Sequence, residues 1–308
     1  MIIAAGLTPA WQQTLTFTEF RPGEVNRARS VHWCASGKVL NVGAALHHLG
    51  AASKTVSIFG EDTGRLMRQE FDNRGIDTAW IETQSATRVC TTILDERSGT
   101  MTELVQNASA VSAGELDEFA NRFAQEGRKA DWAVLTGSLP QQTPVEFYKR
   151  LMASTSARVI LDVRGEELKV CLPLRPFLAK PNREELALTV GEPIRTDAEL
   201  LAAMHTLRRL GAQRVLVSQD AGELWFLNPA GLTRFRPPRV SAVNPIGCGD
   251  CLAAGIAVGL AEGMSEVDAV RFGMAAAADN AGQLLPAQID RQRAEALAVA
   301  VSIVTPES

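Results

Sequence analysis

From Trp132 to Ser218 short apolar runs alternate with helical stretches, and this alternation restricts the fold more than any other feature of the chain. Strands are expected at Trp132 to Leu135, Ala157 to Leu161, Phe177 to Ala179 and Arg214 to Ser218. Helices are expected near 144–153, after Asp162, from Asn182 and at 197–209. Strands separated by helices cannot pair as hairpins. They pair in parallel, with helices covering both faces of the sheet. The same rhythm opens the chain, with strands at Ile2 to Gly6 and Lys54 to Phe59 and helices from Ser36 to Gly50, up to about Asn73, and at 112–127. Short strands at 223–227 and 232–236, a strand end at Arg239 to Val243, and Ala-rich helices at 249–261 and 266–284 complete an α/β fold. In such sheets ligands sit outside the carboxyl ends of the strands. Gly60, Thr136-Gly137-Ser138, Asp162, Lys180-Pro181-Asn182 and Ser218 all fall at such ends.

Two regions break the rhythm. Leu15 to Phe20 and Ala28 to Trp33 alternate apolar and polar residues around the turn Arg21-Pro22-Gly23-Glu24, after a polar turn at Thr8 to Thr14. Arg88 to Leu94 and Thr100 to Leu104 read as a hairpin closed by Arg97-Ser98-Gly99. Together, residues of about 12–34 and 87–105 are expected to form a small β-strand lid inserted in a single domain spanning 1–308. A hydrophobic fraction of 46% and a charged fraction of 21% suit a globular chain. A net charge of −4 argues against nucleic acid or an anionic membrane as the main partner. The chain has no apolar run of bilayer length, and Met1 to Gly6 reads as a strand rather than a leader. The five cysteines (34, 90, 171, 248, 251) are scattered and odd in number, so a cytoplasmic setting without disulfides is expected.

Chemistry concentrates in Asn244-Pro245-Ile246-Gly247-Cys248-Gly249-Asp250-Cys251, where a loop runs into a helix. The first N–H groups of a helix lack internal partners, and the dipole there is positive. Gly247 and Gly249 let an anion approach the main chain. Asp250 places a carboxylate beside that anion, which is unfavourable for simple binding. It makes sense where the carboxylate takes a proton from a nucleophile attacking a phosphoryl group. The alternative is a plain helix N-cap, for which Asp is well suited. Lys38, after Gly37, stands at a helix start, where a cation is disfavoured; it is either a solvated lysine or a fixed cation for a substrate phosphate. The Gly-Lys pair is not a Walker A loop, because Val39 follows. Cys248 and Cys251 form a CxxC at a helix start, where thiol pKa values fall, yet no second pair completes a zinc site.

These segments together resemble the ribokinase-like (PfkB) sugar kinases over essentially the whole chain. The resemblance rests on the 245–250 glycine loop, the Ser36 to Gly50 stretch, Thr136-Gly137-Ser138-Leu139-Pro140 and Lys180-Pro181-Asn182-Arg183-Glu184-Glu185-Leu186. The last two segments and Asn244 to Gly247 are most similar to the 1-phosphofructokinase and tagatose-6-phosphate kinase branch. The resemblance implies a three-layer sandwich with a mainly parallel central sheet and a lid, and an ATP-dependent, Mg²⁺-requiring kinase. It also implies a ketohexose phosphate acceptor such as fructose 1-phosphate or tagatose 6-phosphate, and a homodimer through the lid. By resemblance Asp250 is the base, and the amides of Gly247, Cys248 and Gly249 hold the phosphoryl group. Asn182 and Glu185 place the metal, largely through water, although the pair also reads as a capping box. Ser218, Gly222, Asn182 and Asn280 lie on the nucleotide side. Gln12, Gly37, Lys38, Asn41, Arg88 and Ser138 lie on the sugar side. Three positions depart from the family pattern: Gln12 replaces an aspartate, Val39 a glycine and Cys90 an asparagine. All three are on the sugar side, which leaves two further readings open: a kinase of an unphosphorylated sugar or nucleoside, and a silent sugar-phosphate sensor.

Overall fold

The first strand, β1 (Ile2–Ala5), is wholly buried, and its side chains divide between two cores. Ile2 and Ala4 face one core, Ile3 and Ala5 the other. A strand apolar on both faces belongs inside a sheet covered on both sides. The computed structural model describes residues 1–219 and 222–304. The chain continues through β2 (Ala10–Phe17), β3 (Ser30–Ser36), α1 (Lys38–His48), β4 (Ser53–Phe59), α2 (Glu61–Asn73), β5 (Thr78–Glu82), β6 (Arg88–Asp95), β7 (Thr100–Val105) and α3 (Ala113–Gly127). Next come β8 (Trp132–Thr136), α4 (Phe147–Ala153), β9 (Arg158–Asp162), α5 (Gly165–Cys171), a 3-10 turn at Leu172–Leu174, β10 (Leu178–Ala179), α6 (Arg183–Val190) and α7 (Asp197–Leu210). The last part holds β11 (Val215–Val217), β12 (Leu224–Asn228), β13 (Gly231–Arg236), α8 (Cys248–Ala261), α9 (Glu266–Ala281), α10 (Arg291–Ala298) and β14 (Ser302–Val304).

Ten strands form one sheet in the order β14-β13-β12-β11-β10-β9-β8-β1-β4-β5. Pairing is parallel from β5 to β11 and antiparallel from β11 to β14. Helices α1, α2, α8, α9 and α10 contribute to the core on one face; α3, α4, α5, α6 and α7 contribute to the other. The expected α/β architecture of three layers is therefore present. A second sheet, β3-β2-β6-β7, stands apart from the first. Its strands bracket the two segments expected to form the lid.

The differences from expectation have local causes. Thr8 to Thr14 is not one polar turn, because β2 begins at Ala10 and pairs with both β3 and β6. Gln12 and Thr14 are polar yet buried, which hides the strand's alternation. Arg239 to Val243 forms no strand; the amides of Val243 and Asn244 instead donate to the Ala281 carbonyl at the end of α9. Helix α9 stops there, not at 284. Three unforeseen elements are β5, α10 and β14. In α10 only Ala294 is buried, so no apolar stripe marks it. Strands β5 and β14 are short sheet edges.

Candidate active site

Helix α8 begins with no side-chain cap. Its N-cap is Gly247, in the left-handed region at φ 84°, where a Cβ would be strained and would also meet Pro286 Cβ at 3.1 Å. The amides of Gly249 and Asp250 are among those a helix start leaves without internal partners. Asp250 is not the cap. It lies three residues into the helix and is only 5% exposed. Its Oδ2 accepts a hydrogen bond from Asn41 Nδ2 at 2.8 Å, and Asn41 Oδ1 accepts from Ser36 Oγ at 3.0 Å. The small helix α1 thus fixes one carboxylate oxygen from the side. Hydrogen bonds of the described residues engage only Oδ2.

Burial raises the Asp250 pKa, and repulsion from Asp162 adds to it; Lys38, Asn41 and Lys180 pull it back, leaving it pushed up to about 6. A carboxylate there is largely ionised at neutral pH, yet close enough to it to accept a proton usefully.

The sequence marks Asp162 and Lys180 only as residues at strand ends. Asp162, at the carboxyl end of β9, is 1% exposed; Lys180, just past β10, is 3% exposed. Lys180 Nζ lies 3.0 Å from Asp162 Oδ1, and Thr136 Oγ1 donates to Asp162 Oδ2 at 3.1 Å. Lys38 Nζ lies 3.4 Å from the same Oδ1 and 3.6 Å from Glu185 Oε1. Burial would lower the Lys38 pKa, but Asp162, Glu185 and Asp250 outweigh it and hold the pKa above the ordinary lysine value. The two lysines in turn hold Asp162 below its ordinary value despite burial. This network explains how a cation persists at the start of α1. A Cβ on Gly249 would sit 3.6 Å from Lys180 Nζ, so this ammonium lies against the glycine loop.

Other expected positions gather around this centre. Gly37 caps α1 at φ 90°, and a Cβ there would strike the Thr8 carbonyl at 2.7 Å. Ser138 is exposed just past β8. It follows Gly137, which packs against Thr8 and Lys38. The single tyrosine, Tyr148, braces this turn, its hydroxyl 2.8 and 2.9 Å from the carbonyls of Thr136 and Gly137. Asn182 and Glu185 form a complete capping box on α6. Ser218 forms a parallel bridge with Asn182. The Gly222 amide donates to the Gln219 carbonyl at 2.7 Å, and residues 220–221 lie outside the described residues.

Three candidates, Asn280, Arg88 and Gln12, are engaged by other protein groups. Asn280 is fully buried, its amide donating to the Ile246 carbonyl and Cys248 Sγ and accepting from the Ala287 amide. It braces the glycine loop from behind rather than offering a face to a base. Arg88 donates to the carbonyls of Thr8, Pro9 and Gln106. Gln12 donates to Thr92 Oγ1 at 2.8 Å inside the small sheet, directly opposite Cys90 in register. Two of the three departures from the family pattern are therefore cross-strand neighbours. The third, Val39, is buried against Gly6, where an added Cβ would reach it at 2.9 Å. The thiols of Cys248 and Cys251 are not activated: burial pushes both pKa values up, not down.

The charges bear on a metal. Two ammonium groups face three carboxylates (Asp162, Glu185, Asp250), so the cluster carries a surplus negative charge before any phosphate arrives. Among the described residues no group of three or more His, Cys, Asp or Glu is arranged to hold a metal alone. Mg²⁺ suits such a site, since it keeps its waters and binds through one or two carboxylates plus phosphates. Glu185 is the carboxylate best placed, with a side chain 14% exposed.

The chain is similar to known proteins over most of its length. The model of the pfkB family carbohydrate kinases matches residues 8–286. A 1-phosphofructokinase of Xanthomonas campestris is 30% identical over 273 residues, 86% of each chain. That of Escherichia coli K12 is 28% identical over 301 residues, 96% of each. Among solved structures, a possible 1-phosphofructokinase from Thermotoga maritima superposes with a TM-score of 0.90 at 20% identity, covering 98% of both chains. Phosphofructokinase-2 from E. coli, solved with substrates and products, gives 0.89 at 24% identity, covering 97% of this chain and 98% of that one. The chain belongs to the pfkB family of carbohydrate kinases, and it is a sugar phosphotransferase.

Proposed function

We propose that the protein transfers the γ-phosphoryl group of ATP to a hydroxyl of a ketohexose phosphate, with fructose 1-phosphate as the acceptor favoured by the relatives' activity. The observation that carries this reading is the meeting of an uncapped helix start, a buried carboxylate with a raised pKa and a buried ammonium at one point. The acceptor hydroxyl lies against Asp250 Oδ1, which the described residues leave unengaged, while Asn41 holds the other oxygen. The hydroxyl oxygen forms a bond to phosphorus as its proton passes to Asp250. The bond between γ-phosphorus and the bridging oxygen breaks, and ADP leaves with that electron pair. Charge on the transferring group falls on the amides of Gly249 and Asp250 and on Lys180, which are fixed beforehand and need little reorganisation. Mg²⁺, when bound through Asn182 and Glu185 and their waters, neutralises phosphate charge.

Lys38 is the candidate grip for the acceptor's own phosphate: it is fixed by Asp162 and Glu185, yet its side chain is 38% exposed. Arg88 joins it by turning from the carbonyls it now holds. Gln12 and Cys90, paired on one face, set the sugar preference within the branch, and tagatose 6-phosphate is the competing acceptor. The small sheet acts as a lid that excludes water from the acceptor. Its exposed apolar residues, Val31 and Trp33 on one edge strand and Leu104 and Val105 on the other, form the contact with a second copy. All five cysteines are free, which suits the reducing cytoplasm, and no helix of the described residues is long and apolar enough to cross a membrane.

Measuring ATP consumption against fructose 1-phosphate, tagatose 6-phosphate, fructose and a nucleoside tests the proposal. Turnover should require the phosphorylated ketohexose, and Lys38→Met should raise its KM about tenfold or more, the scale of one lost charge-assisted contact. Equal kcat/KM for fructose and its phosphate would refute the acceptor assignment, and no turnover with any of them would favour a sensor.

A further inference from the structure

A basic face lies at the opposite end of the sheet, near where β11 begins. A hollow of about 620 Å³ is lined by Arg175, His205, Arg208, Arg209 and Arg214, with Gln213 in its wall. The catalytic groups sit past the other ends of these strands. From Arg214 to Ser218 the chain runs four residues, ~13 Å at the rise of an extended strand.

Four arginines around one hollow are unexpected on a chain of net charge −4. Side chains of like charge repel unless acids or a ligand intervene. Among the described residues Arg175, Arg208 and Arg209 form no ion pair with a carboxylate. Only Arg214 does, with Glu266, whose second oxygen accepts from Asn228 Nδ2 at 3.0 Å. That acid is therefore already satisfied. Arg214 is held further by lying across the Phe177 ring, 3.9 Å from its centroid. Arg208 Nη1 donates to the Asn228 carbonyl, and Arg209 Nη2 to Thr206 Oγ1. Arg214 Nη1 also donates to Gln213 Oε1 at 3.5 Å, so the N–H groups left to meet an anion belong mainly to Arg175, Arg208 and Arg209.

The backbone is shaped to bring the arginines together. Arg175 is in the left-handed region at φ 55°, unusual for a residue with a Cβ. It is fixed there by its amide donating to the Leu172 carbonyl and by Gln213 Nε2 donating to its own carbonyl. Gly211 ends α7 with its Cα so close to the Leu172 carbonyl that no Cβ fits. The 3-10 turn is thereby pressed onto the end of α7, and Arg175 joins Arg208, Arg209 and Arg214. Of the last-turn carbonyls of α7, which would repel an anion, those of Leu207 and Arg208 accept from the amides of Gly211 and Ala212.

We propose that this hollow binds a small, multiply charged anion of the phosphate class, such as a phosphate ester or a di- or triphosphate. Arginine forks match phosphate oxygens, and the hollow has the size of an ordinary small-molecule site. The site is separate from the catalytic loop, and the inference stands whichever sugar the kinase uses.

Calorimetric titration with inorganic pyrophosphate tests it, because the catalytic centre and the second site are separable by mutation. The parent should show two classes of binding. Arg175→Ala/Arg209→Ala should lose one class, its Kd rising about tenfold or more, and keep the other. Lys180→Met should do the reverse. Should the double variant melt early by circular dichroism, the exposed Arg209→Gln alone should still weaken that same class. An isotherm unchanged in both arginine variants, or a single class abolished by Lys180→Met, would overturn the proposal.

Discussion

Asp250 is a carboxylate whose surroundings disagree about its charge. Burial and Asp162 favour the protonated form; Lys38, Asn41 and Lys180 favour the ionised one. The balance predicts an acid limb in the pH profile of kcat/KM near pH 6, with activity falling as pH drops through it, because the protonated carboxyl cannot accept the hydroxyl proton. Lys38 stabilises the anion, so removing its charge must raise that pKa. In Lys38→Met the limb should move to higher pH, measured on kcat/KM with one acceptor at saturating ATP. A limb that stays put or moves to lower pH would show that Lys38 does not act on Asp250. At this scale the sequence was partly legible. The junction of Gly247, Gly249 and Asp250 could be read because glycines and an acid at a helix start have few uses. The partners Asn41 and Glu185 followed from resemblance. Asp162 and Lys180 lay at strand ends in plain view, but a strand end says where a side chain begins, not which neighbour it turns to. Their pairing is a contact between β9 and β10 that no local pattern records.

The elements that matter are those whose ends carry the site, chiefly α1 and α8. Each starts on a glycine with positive φ, Gly37 and Gly247. Gly247→Ala should cost about 1–2 kcal/mol from the left-handed backbone alone, with more from the approach to Pro286 at 3.1 Å. Differential scanning calorimetry should show a lower Tm, and turnover should fall as the helix start shifts. A variant as stable and active as the parent would mean that the loop tolerates another conformation. Helices with capping boxes and apolar stripes, such as α3 and α7, were legible because both signals are local. Strand β2 was not legible at its start, since the pattern assumes apolar residues on the buried face and this strand buries Gln12 and Thr14. Helix α10 gave no stripe, and β14 is a short exposed edge.

For the whole molecule, the two-layered coverage of a mainly parallel sheet was legible from strand and helix alternation alone, because short strands with intervening helices have few other ways to bury both faces. The second sheet was legible as a lid made of two segments, although the parallel pairing of β2 with β6 that joins them was not. Its exposed Trp33, stacked on Trp11 with centroids 5.7 Å apart, predicts self-association. Trp33→Glu should convert a dimer to a monomer in sedimentation equilibrium and raise the KM of the acceptor; a parent already monomeric at micromolar concentration would contradict this. The proposed chemistry turns on one oxygen atom of Asp250. Steady-state turnover of Asp250→Asn on the acceptor used by the parent measures it most directly. Its kcat should be lower by about 10²–10⁴-fold, the range for a lost general base, with the fold intact by circular dichroism. Turnover within a few-fold of the parent would contradict it.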